Sequence, residues 1–142
     1  YESDKIIKYL FETYSDGEVP SCLTGGLSTT IACGIALMPR LGRGSKYVES
    51  KVKKDTKPIE FWGYEASPFC KIVREKLVEL EIPHIIKTCA RGSPKRNELF
   101  QKTGSFQVPF ISDPNTDTNM FESAEIIQYL DSTYALVPSF VL

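Results

Sequence analysis

The sequence is short of several things that would place it at once. It has four cysteines in 142 residues, Cys22, Cys33, Cys70 and Cys89, and no two stand in a C-x-x-C pair or at metal-ligand spacing. That argues against a zinc module and a dithiol redox pair, and sparse cysteine without a framework suits a reducing compartment. Neither sign of charge dominates: 17 Lys and Arg face 18 Asp and Glu, for a net charge of −1. Without a basic excess, no nucleic-acid partner is expected. There is one histidine, His84, with no acidic partner close in sequence, and it reads as structural. No initiator Met, signal peptide or transit peptide is in view, so any targeting sequence is expected to have been removed or to lie outside this segment. The length fits one domain plus extra segments.

The most informative stretch is Ser67-Pro68-Phe69-Cys70. It follows a strand-like run, Ile59-Glu60-Phe61-Trp62, and a turn, Gly63 to Ala66. Ser67 is a good N-cap and Pro68 a good first helical residue, because proline lacks an N–H where the helix could not bond one. Ile72, Val73, Leu77, Val78 and Leu80 then recur at helical spacing among charged residues. A helix N-terminus after a strand and tight turn is a natural anion site and would lower the pKa of a thiol held there. Two readings stay open here: a thiol site, or an ordinary capped helix over an inert core cysteine.

The rest of the domain supplies the context. His84 to Thr88 reads as a second strand, and Lys95 to Lys102 as a short basic helix capped at Gly92-Ser93-Pro94 and stopped by Gly104. Val108-Pro109-Phe110-Ile111 is a third strand, Asp113 to Asp117 a turn, and Asn119-Met120-Phe121 a fourth strand. Glu122-Ser123 begins a helix whose apolar side is Ile126, Ile127, Tyr129, Leu130 and Tyr134. This βαβαββα order is that of an α/β, thioredoxin-like fold, a mixed sheet with helices on both faces.

Residues 58–134 resemble the N-terminal, glutathione-binding domain of glutathione S-transferases and are similar to glutaredoxins. Three places carry the resemblance: Ser67 with Cys70 at the family's thiol site, Val108-Pro109, and Glu122-Ser123. It implies a cis Pro109, which would leave the Val108 backbone free to pair with glutathione. It also implies that Glu122 and Ser123 hold the γ-glutamyl end at a helix N-terminus. Glutathione is therefore the implied ligand and cofactor. Gln107, or Lys95 and Arg96, are candidates for its glycine carboxylate, although surface solvation explains the two basic residues equally simply. Tyr64 is expected to line the pocket and Trp62 to sit in the core. The turn Asp113-Pro114-Asn115-Thr116 and the run Met120-Phe121-Glu122-Ser123 further resemble a plant and algal plastid group with tandem copies of this domain. That likeness implies a chloroplast protein, in the stroma or at the stromal face of the thylakoid membrane.

The chain also repeats itself. Tyr1 to Leu10, YESDKIIKYL, matches Phe121 to Leu130, FESAEIIQYL, and the match continues through Thr13-Tyr14 and Val19-Pro20-Ser21 against Thr133-Tyr134 and Val137-Pro138-Ser139. Residues 1–20 are thus expected to be the last helix of a first domain copy. Residues 21–57 read as a linker, uncharged up to Pro39 and then basic from Arg40 to Lys57. The uncharged part has the length to span a membrane but is diluted by Gly25-Gly26 and Ser28-Thr29-Thr30, so a packed linker and a membrane contact both stay open. Residues 58–142 form the second copy.

Two functions follow. In the first, the domain binds glutathione, and Ser67, standing where a dithiol redoxin keeps its attacking cysteine, donates a hydrogen bond that favours the glutathione thiolate. Cys70 takes the inner position, packed or redox-active. In the second, the domain is a non-catalytic interaction subunit, joined through residues 1–57 to a protein complex or a membrane surface, with a photosynthetic complex of the thylakoid membrane as the assembly that the plastid resemblance implies. No metal is expected at the site.

Overall fold

The structure, a computed structural model, describes residues 2–23, 31, 34–35 and 42–137, which fall into two units, residues 1–42 and 43–142. In the first unit α1 runs Glu2–Tyr14, and a single 3-10 turn follows at Ser21–Leu23. Most of the uncharged stretch between Val19 and Pro39 lies outside the described residues, so its membrane reading does too. Among the described residues no helix is long and apolar enough to cross a membrane.

The second unit follows the expected order: β1 (Ile59–Gly63), α2 (Pro68–Glu79), β2 (His84–Thr88), α3 (Pro94–Thr103), β3 (Phe110–Asp113), β4 (Thr118–Phe121) and α4 (Ser123–Tyr134). The sheet order is β2-β1-β3-β4, with β1 parallel to β2 and the other pairs antiparallel. This is the mixed sheet of a thioredoxin-like fold. The third strand starts two residues later than its apolar run suggests, because Pro109 has no N–H to give to a ladder.

Side-chain alternation along the strands divides the core in two. Ile59, Phe61 and Ile111 point to the face covered by α2 and α4, where they meet Val73, Leu77, Ile126 and Leu130. Trp62 and Phe110 point to the other face and meet Leu99 of α3 and Cys89. Helix ends follow local chemistry. The Ser67 and Ser93 hydroxyls accept from the amides of Cys70 and Arg96, the third residues of α2 and α3, and Gly104 closes α3 at φ 73°, a left-handed position that suits glycine.

Two polar features tie the helical face together. Lys76 of α2 is buried, 3.1 Å from Asp131 of α4 and 3.4 Å from Glu79. Asp113, at the end of β3, is buried and accepts from the hydroxyls of Tyr129 (2.6 Å) and Tyr134 (2.5 Å), and from the amide and side chain of Asn115 (2.8 and 2.9 Å). Burial alone would raise its pKa, but these four donors together hold it below the usual carboxylate range.

The basic segment before β1 does more than connect. Sequence spacing puts the domain boundary at residue 58, whereas the compact unit begins at Arg43. The Val48 amide donates to the Glu79 carbonyl (2.8 Å), and the Lys51 amide to the Tyr134 carbonyl (2.7 Å). Ser50 bridges Ala135, and Asn115 exchanges two bonds with the Lys57 backbone (2.9 Å each). Residues 43–57 therefore strap the ends of α2 and α4 to the β3–β4 turn.

Candidate functional site

Strand register assembles the site. Trp62 pairs with Phe110, and Phe110 with Phe121, in one row across β1, β3 and β4. Three segments leave the sheet at that row: the turn from Gly63 to Ser67, the approach Gln107-Val108-Pro109, and the step Glu122-Ser123 into α4. Residues far apart in sequence thus share one end of the sheet. Val108 and Pro109 stand outside the ladder, which starts at Phe110, and the peptide bond between them is cis, as the resemblance implied.

Glu122 has the least ordinary backbone at this end. Its φ is 65° and its ψ 114°, and as N-cap of α4 it makes no side-chain cap bond. A side chain with a β-carbon held there costs about 1–3 kcal/mol, and such strain concentrates at functional sites. The Glu122 side chain is exposed, and its carboxylate accepts from the side-chain amide of Gln107. Ser123 beside it is buried at the start of α4. The first intrahelical bond runs from the Ile126 amide to the Glu122 carbonyl, so helix geometry gives the preceding amides of α4 no intrahelical acceptor. A carboxylate next to a helix N-terminus presents both signs at once: it can take an ammonium group while the amides take an anion.

Ser67 and Cys70 share the start of α2. The Ser67 hydroxyl is buried and accepts from the Cys70 amide at 3.3 Å, which still leaves its proton to donate. Cys70 is buried against Gly63: a β-carbon added at Gly63 would stand 2.8 Å from the Phe61 ring and 3.0 Å from the Cys70 sulfur. Cys70 also lines a cavity of about 270 Å³ with Tyr64, Lys71, Arg74, Ile86 and others, and that cavity includes none of Ser67, Gln107, Val108, Pro109, Glu122 or Ser123. Ser67 and Cys70, the two candidates for the thiol site, therefore face different surroundings. Cys89 is buried on the other face of the sheet, and desolvation pushes its thiol pKa up.

Some neighbours were not legible in the sequence. Arg96 bonds the Phe106 carbonyl (2.7 Å) and the Cys89 carbonyl (2.8 Å) and lies 5.7 Å from the centre of the Tyr64 ring. It ties together the loops after β2 and α3, a role that spacing could not reveal because its partners are backbone atoms. Lys95 is exposed. Phe69 is exposed beside Ser67, and exposed Phe106 stacks on Phe100 at 4.3 Å. Aromatic side chains left out of the core are the one signal that could have marked them. Among the described residues no cluster of His, Cys, Asp and Glu could hold a metal ion.

Comparison with known proteins agrees with this architecture. The family model for the glutathione S-transferase N-terminal domain matches residues 61–138. The chain is similar to the glutathione S-transferase-like protein tpcF of Aspergillus fumigatus, 32% identical over 80 residues, which are 56% of this chain and 35% of that protein. It is also similar to the glutathione S-transferase-like protein gedE of Aspergillus terreus, 32% identical over 77 residues, 54% of this chain and 34% of that protein. The chain thus spans about a third of the length of these curated relatives. Among solved structures, the Bombyx mori glutathione transferase BmGSTD1 superposes with a TM-score of 0.50 at 22% identity, over 56% of this chain and 37% of that one, a likeness of fold.

Proposed function

The chain belongs to the glutathione S-transferase N-terminal domain family, and from that premise we propose that residues 43–137 form a glutathione-binding domain that orients and activates the glutathione thiol. The observation that carries the proposal is Glu122, held at φ 65° at the mouth of α4 with its carboxylate exposed and braced by Gln107. In this reading Glu122 takes the γ-glutamyl ammonium, while Ser123 and the first amides of α4 take its carboxylate. The Val108 backbone pairs with the cysteinyl unit, and Gln107 contributes from the rim. Glutathione supplies the reactive sulfur, and the Ser67 hydroxyl donates to it and favours the thiolate. A serine at this seat cannot form a mixed disulfide, so transfer of the glutathione thiol to an electrophile is the favoured chemistry over disulfide reduction. Cys70, packed behind the helix start, has a positioning role for α2.

Calorimetric titration of reduced glutathione tests the site. Glu122→Ala is expected to weaken binding by about 1.5–3 kcal/mol, the scale of a hydrogen bond to a charged group. Ser67→Ala is expected to leave affinity nearly unchanged while raising the pKa of the bound thiol, read from thiolate absorbance. No binding at millimolar glutathione sinks the proposal and leaves the fold as a non-catalytic scaffold. The proposed compartment is the chloroplast, supported by the plastid-like turn at Asp113 to Thr116, and organelle fractionation decides it.

A further inference from the structure

Arg96 stands in the first turn of α3, where the helix dipole disfavours a cation and where Ser93 already caps the helix end. Helix formation therefore does not account for it. Its side chain turns back to two loops instead. Nε donates to the Phe106 carbonyl (2.7 Å) and Nη1 to the Cys89 carbonyl (2.8 Å), and the guanidinium lies 5.7 Å from the centre of the Tyr64 ring. Each of these contacts passes on to one end of the proposed glutathione edge. The Cys89 amide donates to the Gly63 carbonyl (2.9 Å), where the turn to Ser67 begins, and the Ser67 amide donates to the Tyr64 carbonyl (3.3 Å). On the other side Phe106 precedes Gln107, whose amide is held by the Ser105 hydroxyl (3.1 Å) and whose side chain donates to the Glu122 carboxylate.

We infer that Arg96 is a positioning residue for this site: it fixes the thiol end, at Ser67, relative to the γ-glutamyl end, at Gln107 and Glu122. The inference rests on the reading of that edge as a glutathione site. The two carbonyls belong to different loops, so holding both takes two donors in one rigid plane. A lysine carries the same charge on a single ammonium and lacks that fork. Substitution by lysine therefore separates position from charge.

The test is calorimetric titration of the 142-residue chain with reduced glutathione and with γ-glutamylcysteine, which lacks the glycine carboxylate. Arg96→Lys is expected to weaken both by about tenfold or more, the scale of losing a hydrogen bond to a charged group. It should also raise the pKa of the bound thiol, read from thiolate absorbance. Lys102→Met is the control, since it removes an α3 contact to Glu60 (2.9 Å) that touches neither loop, and it should change neither quantity. Undiminished binding by Arg96→Lys overturns the inference. So does a loss seen with glutathione but not with γ-glutamylcysteine, which would make Arg96 a direct ligand of the glycine carboxylate. An equal loss in Lys102→Met overturns it too, because general loosening of α3 would then be the cause.

A second measurement needs no ligand. In the isotope-labelled chain, Arg96→Lys is expected to move the Gln107 side-chain amide resonance and the amide resonances of residues 64–67 together. Shifts confined to residues 89–96 overturn the inference, whether or not glutathione binds. Absence of binding by the unsubstituted chain sinks the glutathione reading, and the ligand-free shifts then decide the positioning role by themselves.

Discussion

Glu122 and Asp113 use a carboxylate in opposite ways, and each leads to a measurable consequence. Glu122 sits on a strained backbone with its side chain in water, an arrangement that folding alone does not favour. Glu122→Gly is expected to stabilise the fold by about 1 kcal/mol, the relief of strain less the added entropy of glycine, while it weakens glutathione binding. A gain in urea midpoint together with a loss of affinity would be the signature of a site kept at the expense of stability. Asp113 is buried and saturated with donors. With its folded pKa below the ordinary value, its contribution is present above the unfolded pKa of about 3.9 and is lost as pH falls through the folded value. Tyr129 and Tyr134 are shifted upward, first by burial and then by Asp113, so their contribution is present below about pH 10 and lost as pH rises beyond it. One cluster therefore shapes both limbs of the stability profile. Asp113→Asn should flatten the acid limb in pH-dependent urea denaturation, and an unchanged limb would show that the cluster is not its source. Glu122 and Ser123 were legible in the sequence through their resemblance to a known pair. The Asp113 clamp was not, because its members lie 16 and 21 residues apart and an aspartate in a turn looks like turn chemistry.

Among the elements, the strands and helices of the second unit could be read from the sequence because each carries its own signal. Ser67-Pro68 and Ser93-Pro94 announce helix starts, Gly104 a helix end, and β1 and β3 are short apolar runs. The strap at residues 43–57 carries no such signal. It is polar and basic, with Val48 and Val52 as its contribution to the core, and its bonds are mostly to backbone. A chain starting at Arg43 and one starting at Pro58 are expected to differ by several kcal/mol in unfolding free energy, given about 1 kcal/mol per hydrogen bond lost and two valines uncovered. Equal urea midpoints would return the strap to the status of a linker. The α2–α4 contact offers a second check. Lys76→Met leaves Asp131 buried without the ammonium 3.1 Å away and is expected to cost about 3–5 kcal/mol, whereas Lys76→Met with Asp131→Leu should recover most of the loss. A double-mutant cycle without coupling would mean that water screens the pair.

For the whole molecule, the βαβαββα order and the row Trp62–Phe110–Phe121 explain how residues as far apart in sequence as Trp62 and Phe121 come to share one end of the sheet. Sequence order alone could list Ser67, Gln107, Val108, Pro109, Glu122 and Ser123, but only the register brings their segments to one edge and leaves Cys70 lining a different cavity. The central claim is that this edge, rather than the cavity between β1, β2 and α2, takes glutathione. The most direct measurement is a titration of the isotope-labelled chain with reduced glutathione, followed by amide chemical shifts. The account predicts saturable shifts grouped at residues 64–68, 107–110 and 121–125, absent in Glu122→Ala. Shifts centred on Lys71, Arg74, Ile86 and Thr88, or none at millimolar glutathione, would contradict it.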